Sequence, residues 1–177
     1  MKSTGIVRRI DEMGRVVIPK EIRKTLRINN NDSIEIYVEG EDKIILKKYS
    51  VLKNINDFAQ KFADAMYTFV KHNIIITDTK DIIAVAGLNK KEYLQQPISE
   101  YLENAISRRE SILEKYEKDY ELIKGKSEKG TYTLGTIITN GDAVGLVIIT
   151  ANNGKITPVE EKIVKIASEF LGKYLEQ

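Results

Sequence analysis

The chain has 177 residues, of which 42% are hydrophobic and 31% are charged, and its formal net charge is +2. This composition is typical of a folded globular protein and excludes a disordered chain. The sequence has no cysteine and one histidine, His72, which excludes disulfide frameworks and thiol nucleophiles and nearly excludes zinc sites and imidazole-based triads. No stretch approaches the ~18 apolar residues of a membrane helix, so we expect a cytoplasmic protein without a membrane partner.

The charge is unevenly distributed along the chain. Residues 1–28 carry eight basic and three acidic side chains, a net charge of +5, and the remaining residues therefore carry −3. Such an asymmetry suggests an anionic partner for the N-terminal segment. The alternative is a basic surface that is only solvated.

The first half of the N-terminal segment is predicted to form a hairpin followed by a short helix. Residues 4–10 and 16–18 are rich in β-branched side chains, and residues 11–14 supply turn chemistry between them. Pro19 suits the first position of a helix that runs to about Leu26. We expect Ile22 and Leu26 to face inward, with Thr25 as a further candidate, and Glu21, Arg23 and Lys24 to face outward.

A second hairpin is predicted directly after this helix. Residues 34–38 alternate apolar and polar side chains, residues 40–42 form a turn, and residues 43–48 make the returning strand. A unit of ~40–50 residues is hard to stabilise alone and usually needs a metal, disulfides or a partner chain. Without cysteine, dimerisation is the remaining way to stabilise it.

The composition changes near residue 50, where a longer α+β pattern begins. Apolar side chains recur at three- and four-residue spacing from Ile55 to Val70, which predicts an amphipathic helix. Residues 73–77 and 82–86 read as strands. Helical periodicity returns from Ile98, and the charge-rich stretch that follows, to about residue 118, is predicted to continue as helix or loop.

The last third of the chain is predicted to be a hairpin and a helix. Residues 119–124 favour a strand, residues 125–130 a polar loop and residues 131–139 a second strand. Asn140–Gly141 is the strongest short signal for a hairpin turn, because both central residues of a type I′ turn need positive φ. Residues 144–150 form the returning strand.

The closing helix has its own start signal. Thr157 and Glu160 have the spacing of a capping box, with Pro158 at the first helical position. Its expected apolar face comprises Val159, Ile163, Ile166, Ala167, Phe170, Leu171 and Tyr174.

No catalytic constellation is visible in the sequence. Gly125, Lys126 and Ser127 spell the end of a phosphate-binding loop, but Tyr120 stands where that motif requires glycine. We therefore interpret this stretch as a surface loop, and His72 as a residue at a helix end. The sequence predicts no enzyme, no metal site and no cofactor.

Residues 2–50 resemble the N-terminal domain of the AbrB family of transition-state regulators. The most specific parts are TGIVRRID at 4–11, GRVVIPKEIR at 14–23 and ILKKYS at 45–50. The resemblance implies a swapped-hairpin β-barrel, in which two chains interleave their hairpins. It also implies binding to double-stranded DNA.

The basic residues are the predicted DNA contacts. Arginine can bind phosphate or read guanine edges with its planar fork, whereas lysine mainly neutralises phosphate. The residues that the resemblance assigns to this role are Arg8, Arg9, Arg15, Arg23 and Lys24.

The remainder of the chain is similar to one member of that family whose second domain is of GAF type. The similarity lies in the ADAMY run at 63–67, in ITNGDAVGLVII at 138–149 and in the closing helix. It implies a forespore regulator of an endospore-forming bacterium that activates some genes and represses others. The NKFDE-type signature of cyclic-nucleotide GAF domains is not found, so an unidentified small ligand and dimerisation alone both stay open.

Together these features predict an α+β protein of two domains, a swapped-hairpin DNA-binding domain at 1–53 and a GAF-like sensor or dimerisation domain at 54–177. If each domain pairs with a different partner chain, a homotetramer bound to the nucleoid follows. The alternative from another functional class is an antitoxin, because swapped-hairpin domains also occur in toxin–antitoxin pairs. Antitoxin tails are usually short and disordered when free, whereas residues 54–177 have the periodicity of a folded domain.

Overall fold

The structure is a computed structural model that describes residues 4–26, 28, 30, 32–48, 56–152 and 154–176. The chain divides into two compact units, residues 1–49 and 50–177, which we call the first and second units. The predicted domain boundary between residues 53 and 54 and the predicted helix start at Ile55 lie outside the described residues.

The first unit contains one short helix and a two-stranded antiparallel ribbon. Its elements are α1 (Lys20–Thr25), β1 (Ile34–Glu39) and β2 (Lys43–Lys48). The ribbon pairs Glu39 with Lys43 next to its turn, where Gly40 has a φ of +68°. The predicted second hairpin is therefore confirmed.

The predicted first hairpin is only partly formed. The turn at residues 11–14 is present, but residues 4–10 and 16–18 are not strands, and all of them except the half-buried Ile18 are exposed. Two short strands are marginally stable in water without a further strand or core to pack on, and in the described part of the first unit these segments join no sheet. The inward face expected of the helix is not formed either, because α1 buries none of its residues and Leu26, just after it, is 56% exposed. Arg23, which was expected to face outward, is instead half-buried.

The second unit is a five-stranded antiparallel sheet with helices on both faces. The strand order is β4-β3-β7-β6-β5. Its elements are α2 (Asn56–Val70), β3 (Asn73–Thr77), β4 (Ile82–Ala86), α3 (Lys90–Tyr93), α4 (Glu100–Ser107), β5 (Ser111–Ile123), β6 (Lys126–Thr139), β7 (Asp142–Ala151) and α5 (Pro158–Tyr174). The α+β class and the antiparallel sheet that the sequence predicts are thus confirmed.

The central strands have continuous apolar sequences because both faces of the sheet are covered. Successive side chains of a strand point to opposite faces. Ile74 and Ile76 pack with residues of α2 and α5, whereas Ile75 packs with residues of α3 and α4. All three isoleucine side chains are fully buried. The second unit therefore has two hydrophobic cores, one on each face.

Two local signals are confirmed in detail. Asn140 and Gly141 have φ values of +48° and +84°, as a type I′ turn requires, and they connect β6 to β7. At the start of α5, the Thr157 hydroxyl accepts from the Val159 N–H, and the Glu160 carboxylate accepts from the Thr157 N–H at 2.8 Å. The capping box is therefore formed.

The predicted helix or loop up to residue 118 is wrong, because residues 111–123 form strand β5. The predicted loop at 125–130 is also mostly strand, since β6 begins at Lys126. β5 lies at the edge of the sheet, where charged side chains reach water and discourage pairing with other chains. Pairing with β6 overrides the weak local preference of this charge-rich sequence for helix.

The buried face of α5 differs from the predicted one. Of the predicted residues, Ala167 and Leu171 are buried, but Val159 and Ile166 are 60% and 69% exposed. The helix instead turns its small residues to the sheet. A Cβ atom on Gly172 would collide with the Ile138 carbonyl oxygen, so glycine is what permits this close approach. Ser168 and Gly172 carry no apolar signal, so periodicity found only part of this face.

Candidate nucleic-acid interface

The first candidate residues surround the turn at residues 11–14. The Asp11 carboxylate accepts hydrogen bonds from the N–H groups of Met13 at 3.0 Å and Arg15 at 2.8 Å. The hydrogen bond from the Arg15 backbone is the main reason that the pKa of Asp11 lies below its ordinary value. Gly14, at a φ of +74°, adopts a conformation that costs glycine little. An ionised Asp11 therefore holds the turn closed at neutral pH.

Arg15 follows the turn and points into solvent. Its Nε donates to Asp11 Oδ2 at 2.9 Å, and 74% of its side chain is exposed. An ion pair this exposed contributes little to stability. It nevertheless orients the guanidinium group, whose planar fork suits phosphate or a guanine edge. Arg15 is thus placed to meet an external anion.

Arg8 and Arg9 lie in the segment before the turn, and both are exposed. Arg8 Nη1 donates to the carbonyl oxygen of the preceding residue, Val7, at 3.3 Å. This contact is local and long for a hydrogen bond. The two arginines therefore add positive charge next to the turn without being committed to a structural partner.

Arg23 and Lys24 lie at the C-terminal end of α1, where cationic side chains complement the helix dipole. Lys24 is exposed, whereas Arg23 is half-buried and its Nη1 donates to Asn30 Oδ1 at 2.9 Å. Arg23 Nε is shielded from water and has no hydrogen-bond partner in the described part of the chain. An unpaired buried donor is unfavourable, so an acceptor that reaches Arg23 Nε would be bound favourably.

The five predicted contacts therefore form two sets. Arg8, Arg9 and Arg15 flank one turn, and Arg23 and Lys24 share one helix end. No hydrogen bond between described residues connects the two sets. Their convergence on a single DNA-facing surface stays a prediction.

Two supporting residues were missed by sequence reasoning. Asp11 was assigned only to a turn and Asn30 was given no role, yet each holds one of the candidate arginines. An aspartate at the start of a turn that contains glycine is a signal that could have identified Asp11. Nothing in the sequence pairs Asn30 with Arg23, because their contact depends on the path of the chain after α1.

An apolar face lies on the ribbon of the same unit. β1 and β2 place Ile36 opposite Leu46 and Val38 opposite Ile44. Residues two apart and directly opposite one another share a face of a ribbon. The four side chains are 40–76% exposed. Contiguous exposed apolar side chains mark interaction surfaces. We call these four residues the ribbon face.

The phosphate-loop-like sequence and His72 lie in a hairpin and after a helix end, respectively. Gly125 lies in a two-residue turn, and Lys126 and Ser127 begin β6, so the phosphate-loop-like sequence is part of a hairpin. His72 lies just after the end of α2, as expected. Among the described residues, no group of three or more His, Asp or Glu side chains is arranged to hold a metal ion.

Helices long and apolar enough to cross a membrane are not found in the part of the chain that the structure describes.

Comparison with protein families assigns the two units separately. The model of the stage V sporulation protein T C-terminal, transcription factor family matches residues 54–176. The model described as antidote-toxin recognition MazE, bacterial antitoxin, matches residues 7–53.

Comparison with individual proteins covers the whole chain. This chain is 47% identical over 178 residues to stage V sporulation protein T of Bacillus subtilis (strain 168), and the match covers 100% of both proteins. The transition state regulatory protein AbrB of the same organism is 69% identical over 49 residues, which are 28% of this chain and 50% of that protein. The solution structure of the N-terminal DNA recognition domain of the B. subtilis AbrB is 66% identical, covers 28% of this chain and 92% of that one, and superimposes with a TM-score of 0.25.

Proposed function

The chain belongs to the stage V sporulation protein T family, and on that premise we propose that it is a sequence-specific DNA-binding transcription regulator of sporulation. The observation that carries this proposal is the identity over the full length of both proteins. It acts in the forespore, on the nucleoid, and activates some genes while repressing others. Its mechanism is occupancy of promoter sites, without chemistry on the DNA. The position of each site relative to the polymerase sets the direction of regulation.

The first unit is the part that binds DNA. Residues 1–28 carry a net charge of +5, and the arginines beside the Asp11 turn are exposed and largely uncommitted. Neutralising backbone phosphates supplies most of the affinity of such surfaces and makes it depend on salt. The 69% identity to a transition state regulatory protein supports the same assignment.

The first unit acts as a swapped-hairpin dimer. Two features of the single chain support this arrangement: the exposed ribbon face, and the segments 4–10 and 16–18, which are rich in β-branched residues but are not strands. A second copy can supply both the apolar cover and a sheet for these segments to join. A two-fold dimer would also present each basic residue twice, which doubles the charge offered to one duplex.

The second unit is a GAF-like sensor or oligomerisation domain. Its antiparallel sheet with helices on both faces supports the GAF-like assignment. Phe58 of α2 stacks on Tyr174 of α5 with ring centroids 4.2 Å apart, and Phe62 stacks on Phe170 with ring centroids 5.4 Å apart. Phe170 is 46% exposed. An aromatic surface on two neighbouring helices suits a second self-association, which would join two DNA-binding dimers into a tetramer.

The DNA-binding proposal is tested by changing the arginines one at a time. Arg8→Ala, Arg15→Ala and Arg23→Ala each remove two positive charges per dimer. If the residue contacts phosphate, the slope of log affinity against log salt should flatten by roughly two units, at about 0.9 per phosphate. If it reads a base, the preference for a bound promoter duplex over a scrambled one should fall by roughly 1–3 kcal/mol per contact. Both quantities come from binding titrations at several salt concentrations.

The matched control is Lys115→Ala, which removes an exposed charge from the second unit and should change neither quantity. Circular dichroism and sedimentation confirm that each variant keeps its fold and its oligomeric state. Unaltered affinity and salt slope in all three arginine variants would place the DNA elsewhere on the protein and refute the proposal.

The alternative function is that of an antitoxin that neutralises a toxin and regulates its own operon. The MazE family match over residues 7–53 favours it. The second unit argues against it, because it has two hydrophobic cores of its own and matches a transcription-factor family. A toxin gene that overlaps or adjoins this gene would support the antitoxin function.

A further inference from the structure

The turn at residues 11–14 is closed by four hydrogen bonds that all involve Asp11. The Asp11 N–H donates to the Arg15 carbonyl oxygen at 3.1 Å, and the Gly14 N–H donates to the Asp11 carbonyl oxygen at 2.9 Å. Oδ1 of the Asp11 carboxylate accepts from the N–H groups of Met13 and Arg15. The backbone of Arg15 is therefore fixed relative to Asp11 before any partner binds.

The same carboxylate fixes one edge of the Arg15 guanidinium group. Its second oxygen, Oδ2, accepts from Arg15 Nε at 2.9 Å. In the part of the chain that the structure describes, the two Nη groups of Arg15 make no hydrogen bond, and 74% of the side chain is exposed. The edge formed by the two Nη groups is therefore available to an external acceptor.

The free edge of Arg15 has the geometry that reads guanine. Its two parallel N–H groups can donate at once to guanine O6 and N7 in the major groove, which is the commonest base-specific contact of arginine. A phosphate group can accept from the same edge. Geometry alone therefore leaves two acceptors, and the neighbouring charge decides between them.

The charge of Asp11 favours the base over the phosphate. A carboxylate beside the guanidinium group offsets its positive charge and repels a phosphate that approaches the pair, whereas guanine presents neutral acceptors. The hydrogen bond from the Arg15 backbone is the main reason that the pKa of Asp11 lies below its ordinary value, so the carboxylate is ionised at neutral pH. Arg15 therefore offers its donors while attracting phosphate less than an unpaired arginine does.

We propose that Asp11 is a specificity-determining residue, which positions Arg15 to donate to a guanine edge and keeps it from binding phosphate. The inference rests on the DNA-binding function proposed above and deepens it. Arg8, Arg9 and Lys24 are exposed and have no carboxylate partner among the described residues, so they suit phosphate instead.

The test compares DNA binding by the full chain and by its Asp11→Asn variant. Asparagine keeps the Oδ1 acceptor for the backbone, but it places an amide donor opposite Arg15 Nε and removes one negative charge per chain. Because an ion pair this exposed contributes little to stability, the variant should remain folded. The probes are the duplex that the native chain selects from a random-sequence pool and a scrambled duplex of the same composition.

We expect Asp11→Asn to bind less selectively and more electrostatically. Its preference for the selected duplex should fall roughly tenfold, because the guanine contact is no longer oriented. Its affinity for the scrambled duplex should rise, and the slope of log affinity against log salt should steepen by up to roughly two units per dimer, at about 0.9 per new phosphate contact. Binding titrations at several salt concentrations measure all three quantities.

Two further variants separate positioning from net charge and from turn structure. Glu12→Gln is the matched control, because Glu12 is exposed and adjacent, and it should bind both duplexes slightly more tightly while keeping the preference. Arg15→Lys keeps the charge but lacks the planar fork, so it should lose the preference by a similar factor. Adding Asp11→Asn to Arg15→Lys should then change the preference no further, since the two residues act through one contact.

Base analogues identify the acceptor. 7-Deazaguanine lacks the N7 acceptor, and it is substituted for one guanine of the selected duplex at a time. At one guanine of each half-site, the substitution should weaken binding of the native chain several-fold and leave binding of Arg15→Lys unchanged.

Several results would overturn the proposal. Equal loss of affinity for both duplexes in Asp11→Asn would leave Asp11 with a role in the turn alone, and an equal loss of preference in Glu12→Gln would assign the effect to net charge. The absence of any guanine whose N7 matters to the native chain and not to Arg15→Lys would assign Arg15 to phosphate. A native chain that selects no duplex from the pool would instead refute the DNA-binding function itself.

Discussion

The two units of this protein bury apolar side chains to very different extents. In the second unit, Ile74, Ile75 and Ile76 are fully buried between helices and sheet. In the first unit, Pro19 is the only buried residue among those described, and Val38 is 76% exposed. Burying one aliphatic side chain contributes roughly 1.5–3 kcal/mol. The second unit obtains this stabilisation within one chain, whereas the described residues of the first unit obtain little of it, which is why we propose that a second copy supplies it.

This difference has a functional consequence. If the first unit is completed by a second copy, as proposed, it presents its basic residues in symmetric pairs, which suits a duplex that carries phosphates on both strands. The second unit has its own cores, so its folding should not depend on DNA.

The largest expected effect comes from placing a charge on an exposed apolar surface. Making this change in each unit tests whether the unit depends on association in order to fold. In a fragment of residues 1–53, Val38→Asp should abolish folded structure, because a charge on the ribbon face blocks the association on which folding depends. The unaltered fragment should be a dimer that gains about 1.4 kcal/mol of apparent stability for each tenfold increase in concentration. Circular dichroism melts at several concentrations measure both.

The matched change in the second unit is Phe170→Asp in a fragment of residues 51–177. This charge lies on the aromatic surface of α2 and α5 rather than in a core, so self-association should be lost while the secondary structure persists. Sedimentation reports the first quantity and circular dichroism the second. A folded monomer of residues 1–53 whose melting temperature does not depend on concentration would contradict the proposed difference between the two units.

A core truncation should have the next largest effect. Leu134 is fully buried in β6, and Leu134→Ala should reduce the free energy of unfolding of the second unit by about 2–5 kcal/mol, through lost burial and the cavity left behind. Ile138 lies on the same strand and is 41% exposed, so Ile138→Ala should cost about 1 kcal/mol or less. Denaturant titrations of 51–177 compare the two. Equal losses of unfolding free energy in Leu134→Ala and Ile138→Ala would contradict the difference in burial between these two positions of β6.

The smallest expected effect concerns the start of α5. Thr157→Ala removes the capping hydroxyl and should cost about 1 kcal/mol, whereas Thr157→Ser should retain most of the stability. Burial alone would raise the pKa of Glu160, but the hydrogen bonds from Thr157 outweigh it, and the net pKa is lowered.

The lowered pKa gives this contribution a defined dependence on pH. The stability that ionised Glu160 adds is fully present above the unfolded value of roughly 4.3, and it is lost as pH falls through the lower folded pKa. The stability difference between the native chain and Thr157→Ala should therefore narrow in acid. Denaturant titrations between neutral and acidic pH measure it, and a difference that widened in acid would contradict the assigned capping box.

The positive charge of the candidate DNA interface could be predicted from the sequence, because charge is a property of composition, whereas its contact with DNA stays a prediction. The supporting contacts of Arg15 and Arg23 could not, since they depend on how the backbone turns after each arginine. The contact between the Tyr120 and Tyr132 rings was missed because most of β5 was predicted to be helix or loop. In a strand paired with β6, Tyr120 and Tyr132 come together on one face of the sheet.

The sequence by itself determined the features whose physics is local. The positive φ values of Asn140 and Gly141 and the capping box of Thr157 and Glu160 depend on only two to four consecutive residues. Only the tertiary structure decided that residues 111–118 form an edge strand and that α5 turns its small residues to the sheet. Strand pairing and close approach of a helix to a sheet involve residues distant in sequence, and contacts of that kind override local propensity.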